Sequence, residues 1–205
     1  MGTRNLQVVV LNNEIRVANY AQFDGYIGGQ GLTALKFLRE SMNESFKEKV
    51  AQCSWITPAE AKKLWVKCGA KPNSDMVGMD VSDKFKANYL HLHRDCGADI
   101  YALIQNSVNG LKLQNDINFA ADSLFCEWVY VIDLDKNTFE VFKGFNQEKL
   151  VETERFAFLN DVAEKGEDNM RGDVYYPVKL AKSYSLDNLP TEEQILADFQ
   201  EKEEE

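Results

Sequence analysis

The chain has 205 residues, with 23 lysines and arginines against 33 aspartates and glutamates and a net charge of −10. That balance argues against a nucleic-acid partner held through its phosphate backbone, because such binding needs clustered cations that release counterions. Hydrophobic residues make up 44% and aromatics 11% of the chain, which is enough apolar material for a packed core in a single domain, read as residues 1–200 with an acidic, frayed end at 201–205.

The first residues, Met1 to Leu6, lack the basic start and apolar stretch of a secretory signal. No apolar run approaches the ~18 residues of a membrane span. A cytoplasmic protein without a membrane partner is expected. Cys53, Cys68, Cys96 and Cys126 are far apart and form no C-x-x-C pair, so reduced and mostly buried thiols are expected rather than a zinc site. Cys96 stands apart because it follows His91, His93 and Arg94, where a cation would lower a thiol pKa.

Leu6 to Leu11 reads as a buried strand, Asn12 and Asn13 as a turn, and Glu14 to Phe23 as the return strand of a hairpin. The period of two places Arg16, Ala18, Tyr20, Gln22 and Asp24 on one face of that strand. The stretch Asp24 to Gly31 is dense in glycine and reads as a tight loop. It has no lysine and does not match a phosphate-binding P-loop. Leu32, Leu35 and Leu38 then recur at helical spacing.

Thr57, Pro58 and Glu60 give an N-cap, a first-turn proline and a capping-box carboxylate, with Ala61, Leu64 and Trp65 turned inward. Gly69 to Asp80 reads as a loop, Ser82 as the cap of a helix running to Leu92, and Gly97 to Ser107 as a further helix. Phe125 to Leu134 is the strongest strand signal of the second half, and Asp135 to Asn137 turns it into Thr138 to Phe142. Trp128 to Ile132 is apolar on both faces, the mark of a central strand. The pattern from Asn146 to Leu189 is irregular, and Thr191 caps a last helix with Ile195, Leu196 and Phe199 on one side. The expected fold is therefore α+β, with a mainly antiparallel sheet built from the N-terminal hairpin and a hairpin near 125–143, packed with several helices.

His91, His93 and Asp95 would share a face on a strand and could begin a metal site, but the helical reading of this stretch separates the histidines, and no metal is expected. There is no G-x-S-x-G motif and no cysteine-protease signature. No cofactor motif is present and none is expected. Asp24 is the most interesting carboxylate, at a strand end beside the glycine loop. It is also a good Asx-turn residue.

The segment Thr3-Arg4-Asn5 and the run Tyr20-Ala21-Gln22-Phe23-Asp24-Gly25-Tyr26-Ile27-Gly28-Gly29-Gln30-Gly31 resemble a family of uncharacterised proteins frequent in phages and prophages. Arg94 to Ala98 and Phe125 to Leu134 also resemble that family, so the likeness spans residues 1–145. Ile27 replaces the family's proline. The resemblance implies a bacterial-host setting and a functional region around Gln22, Asp24 and Tyr26.

The leading expectation is a phage-type accessory protein that binds a host protein or a small anionic molecule, as a counter-defence factor. The alternative is a small hydrolase or transferase. In that reading Arg4 binds an anionic group, Asp24 acts as acid or base and Tyr26 orients the substrate. Tyr20, Gln22, Arg94, Asp95 and Glu127 complete the expected ligand site. A third expectation is a homo-oligomer in which the hairpin from Phe125 to Phe142 packs against a second copy.

Overall fold

A computed structural model of the chain describes residues 2–73, 76–164 and 174–200. The acidic end at 201–205, expected to fray, lies outside them. The architecture is α+β. Its main sheet has five strands in the order β2-β1-β5-β6-β7. β1 (Asn5–Leu11) and β2 (Glu14–Ala21) form the N-terminal hairpin, which turns at Asn12 and Asn13. Both turn residues have φ near +58°, the left-handed pair that a tight hairpin needs and that asparagine tolerates. β5 (Trp128–Asp133) and β6 (Thr138–Lys143) form the second hairpin, and the two hairpins join through a parallel β1·β5 pairing.

β5 lies at the centre of the sheet, as its two apolar faces predict. Tyr130 and Ile132 enter one core with Phe37, Phe46, Tyr101 and Phe139, while Val129 and Val131 enter another with Leu6, Phe142 and Phe156. Both faces of the second hairpin are thus covered by the chain's own side chains. β1 is buried over all seven residues, which explains why it reads as a continuous apolar run rather than an alternating one. Its polar residues are satisfied internally, since Gln7 accepts from the Tyr101 hydroxyl at 2.8 Å and donates to Asn5 at 2.8 Å.

The helices differ from expectation mainly at their ends. Helical structure begins at Ile27, inside the expected glycine loop, as a π-helical turn (Ile27–Gly31) before α1 (Leu32–Lys36) and a second π-helical turn (Phe37–Ser41). Gly31 permits this, because a Cβ there would lie 2.9 Å from the Tyr130 hydroxyl. α2 is Ser45–Gln52. The short β3 (Ser54–Trp55) pairs in parallel with β4 (Lys112–Leu113). α3 (Pro58–Lys67) carries the expected capping box between Thr57 and Glu60. α4 (Met79–Asn88) is capped by Gly78, so Ser82 is an interior residue and not the cap. It also stops before the expected Leu92, and a 3-10 turn covers Leu90–Leu92. α5 is Asp99–Gln105, α6 is Asn160–Glu164, and α7 (Glu192–Phe199) is capped by Thr191.

The irregular stretch after Asn146 hides one strand. β7 (Lys179–Ser185) pairs with β6 at the sheet edge and has no buried residue, so it lacks the apolar periodicity by which strands are read.

Candidate functional site

A pocket of about 430 Å³ opens between the end of β2, helices α3 and α4, and the turns that carry Arg94 and Asp116. Its size falls within the range of small-molecule sites. Tyr20 and Asn19 reach it from β2, Ser82 from α4, His93 and Arg94 from the turn after α4, and Gln114 and Asp116 from the segment after β4.

Chain segments distant in sequence are tied together around it. The Gln22 amide donates to the Arg94 carbonyl at 2.9 Å, and the Tyr20 hydroxyl donates to Gln22 Oε1 at 2.5 Å. The Ala98 amide donates to Gln30 Oε1 at 2.7 Å. Gly97, at φ +55°, is needed here, since a Cβ at this position would lie 2.2 Å from Gln30 Oε1. Tyr130 in turn donates its hydroxyl to the Gly25 carbonyl at 2.7 Å. The stretch 20–31 is therefore in direct contact with both 94–98 and 125–134.

The polarity of the pocket follows from His93, whose side chain is 6% exposed. The Asp95 amide donates to Nδ1 at 3.2 Å. With Nδ1 accepting, the ring proton sits on Nε2, which donates to Ser82 Oγ at 3.1 Å. Burial, the largest influence, lowers the His93 pKa, and Asp95 only partly opposes it, which keeps the ring neutral. The Ser82 hydroxyl proton has no other acceptor among the described residues and is available as a donor. Serine, histidine and aspartate thus stand close together but with the wrong polarity for a nucleophile. The Asp95 carboxylate is 3.7 Å from Nδ1, beyond hydrogen-bond range, and Nε2 gives a proton to Ser82 rather than taking one.

The opposite wall carries acceptors. Asp116 accepts from the Tyr20 amide at 3.1 Å and from Gln114 Nε2 at 3.0 Å, and burial raises its pKa against these bonds. Burial also raises the Tyr20 pKa, while Arg4 and Arg94 both pull it down, so two guanidinium groups act at the Tyr20 hydroxyl. Arg94 forms no ion pair among the described residues.

Of the eight residues expected from sequence, Tyr20 and Arg94 line this pocket and Gln22 holds both of them. Asp95 positions His93 through its amide and pairs with Lys86 at 2.8 Å. Arg4 and Glu127 are bonded to each other just before β1 and β5, where the Glu127 amide donates to the Arg4 carbonyl at 3.2 Å and the Arg4 amide donates to Glu127 Oε1 at 3.3 Å. The Arg4 guanidinium lies 4.6 Å over the Phe125 ring. Asp24 and Tyr26 are exposed on the glycine segment. Asp24 has φ +54°, and its carbonyl accepts from the Gln30 amide at 2.8 Å, the behaviour of a turn residue. Asn19, Ser82, His93, Gln114 and Asp116 were not anticipated as a group. The only local signal was the pair His93 and Arg94.

Both ring nitrogens of His93 are engaged, and among the described residues no group of three or more His, Cys, Asp or Glu side chains is placed to hold a metal ion. Cys96 is not activated as its basic neighbourhood suggested. It is buried, and desolvation, with Asp99 adding to it, pushes its thiol up to about 12. Among the described residues no helix is long and apolar enough to cross a membrane. Comparison with protein-family models, curated proteins and solved structures gives no match for this chain.

Proposed function

We propose that the protein is a binding protein of phage type, active in the cytoplasm of a bacterial host, that holds a small anionic molecule in the pocket lined by Ser82, Arg94 and Tyr20. The observation that carries this reading is the polarity of His93. A neutral ring with its proton on Nε2 turns the Ser82 hydroxyl into a donor in a pocket also lined by Arg94, which forms no ion pair among the described residues, and it leaves the serine without a base. Donors on one wall and the Asp116 carboxylate on the other favour a ligand with an anionic end and a hydrogen-bond-donating end. Removal of such a molecule from the host cell would serve a counter-defence role.

The test is a native mass spectrum of protein purified from bacterial cells, followed by thermal-shift titration with nucleoside phosphates, sugar phosphates and dicarboxylates. A bound mass or a thermal shift that weakens tenfold or more in Arg94→Ala, and less in Ser82→Ala, supports the reading. An apo spectrum with no shift from any of these anions sinks it. Turnover of one of them that disappears in Asp24→Asn would move the protein to the hydrolase or transferase reading.

A further inference from the structure

Beyond Trp65 the pocket gives way to a second, larger hollow of about 680 Å³, bounded by α3, the loop after it and the residues following β4. Ala61, Lys62, Trp65 and Val66 lie at helical spacing on the α3 face that borders it, and Val77 closes the far side. Val66 and Val77 are 38% and 41% exposed, so the apolar floor is open to solvent. One face of the Trp65 ring is already covered, because it stacks on Phe85 at 3.6 Å with an interplanar angle of 6°.

Among the described residues, the charged side chains that line this hollow, Lys62 and Lys71, are opposite in sign to the chain as a whole. Residues 57–73 contain Lys62, Lys63, Lys67 and Lys71 but one carboxylate, Glu60. That carboxylate is paired with Lys112. Lys62 and Lys71 border the hollow itself. In a protein of net charge −10, two lysines beside exposed apolar side chains, with no carboxylate among the described residues of the lining, are complementary to an occupant with both negative charge and apolar anchors.

We infer that this hollow is a docking surface for an acidic, amphipathic peptide segment of a partner protein, whose aliphatic or aromatic anchors enter between Trp65, Val66 and Val77 while its carboxylates meet Lys62 and Lys71. The lining favours a peptide over a nucleic-acid strand. Its anchor points are mainly aliphatic, the Trp65 ring has one face occupied, and two lining lysines are few against the negative charge of the remaining chain. This surface adjoins the anion pocket and shares Trp65, Val77 and Gln114 with it, but its occupancy does not require that reading.

The test uses full-length protein and fluorescence anisotropy with a labelled dodecapeptide of glutamates interrupted by leucine and phenylalanine. Two controls accompany it, the same peptide with serine at the apolar positions and a labelled oligothymidylate of equal length. The expected result is binding of the first peptide, at least fivefold weaker binding of the serine version, and at least tenfold weakening in Lys62→Glu/Lys71→Glu. Val66→Asp, at a position 38% exposed, is a second variant with the same expected loss, and Lys36→Glu, exposed on α1 and outside the lining of both hollows, leaves peptide binding unchanged. Three results would each overturn the inference: no binding of the first peptide, binding indifferent to both surface variants, or oligothymidylate binding as tight as that of the peptide.

Discussion

The centre of the sheet and the lobe formed by α3 and α4 obey different rules. In β1 every residue is buried, and β5 contributes to a core on each of its faces. α3 has no buried residue, and α4 buries only Phe85. The sheet gains its stability from apolar area removed from water on both sides, whereas the lobe rests on the Trp65–Phe85 stack, a capping box and polar contacts such as Lys112–Glu60, Ser82–His93 and Lys86–Asp95. In the sheet the buried polar groups, such as Gln7, Asp133 and Glu140, are taken up by internal bonds, whereas around the lobe many polar side chains stay partly open to solvent. For that reason the pocket and the basic hollow both adjoin the lobe and not the sheet's centre.

The contrast is sharpest in stability. Arg155 donates to both Asp133, at 2.5 Å, and Glu140, at 2.6 Å, across the β5–β6 pair. The carboxylates are nearly buried, at 1% and 7% exposed. Arg155→Ala strands them without a counter-charge and is expected to cost about 3–5 kcal/mol in urea denaturation. Phe139→Ala opens a cavity in the same sheet and is expected to cost about 3–5 kcal/mol in a single cooperative transition. Trp65→Ala is expected to lower global stability by only about 1 kcal/mol, through the lost stack on Phe85. Its main effect is faster hydrogen exchange of amides in α3 and α4, with the sheet amides unchanged. Equal losses from Phe139→Ala and Trp65→Ala would abolish the distinction between the two regions.

Smaller effects follow from titration, again with one group in each region. Burial works to raise the Asp133 pKa, but the Lys136 amide, Arg155 and the Asp135 amide outweigh it, and the carboxyl lies below its ordinary value. A lowered folded-state pKa means that the stabilisation is complete above the unfolded value of about 4 and is lost as pH falls through the folded one. The urea midpoint is therefore expected to drop below about pH 4, and Asp133→Asn flattens that drop. In the lobe, burial lowers the His93 pKa. Between the unfolded value of about 6.5 and the lower folded one, the unfolded chain binds more protons, so His93 costs stability as pH falls through that window. Proton NMR is expected to show the His93 ring titrating below about 6.5, and His93→Gln removes its share of the pH dependence.

Both hairpins were legible because their strands are apolar runs and their turns carry asparagine or aspartate at the right positions. The α3 and α7 starts were equally clear, since Thr57 and Thr191 cap helices through local bonds to Glu60 and Gln194. β7 was not legible, because an edge strand with no buried residue leaves no pattern. At the pocket, Tyr20, Gln22 and Arg94 stood out as motif residues. Ser82 read as a helix cap, and Asp116 gave no signal at all.

The sequence by itself determined the α+β class, the central position of β5 and the capped helix starts, because each depends on patterning or bonds within a few residues. Only the tertiary structure decided which proton His93 carries and what stands beside Arg94. Those properties depend on contacts between segments far apart in the chain, such as Gln22 with Arg94 and Tyr20 with Asp116. Local patterning has no access to distances of that kind. The same holds for the basic hollow, where two lysines in an acidic chain acquire meaning only because α3 sets Lys62 and Val66 on one face, against Lys71, Val77 and the residues after β4.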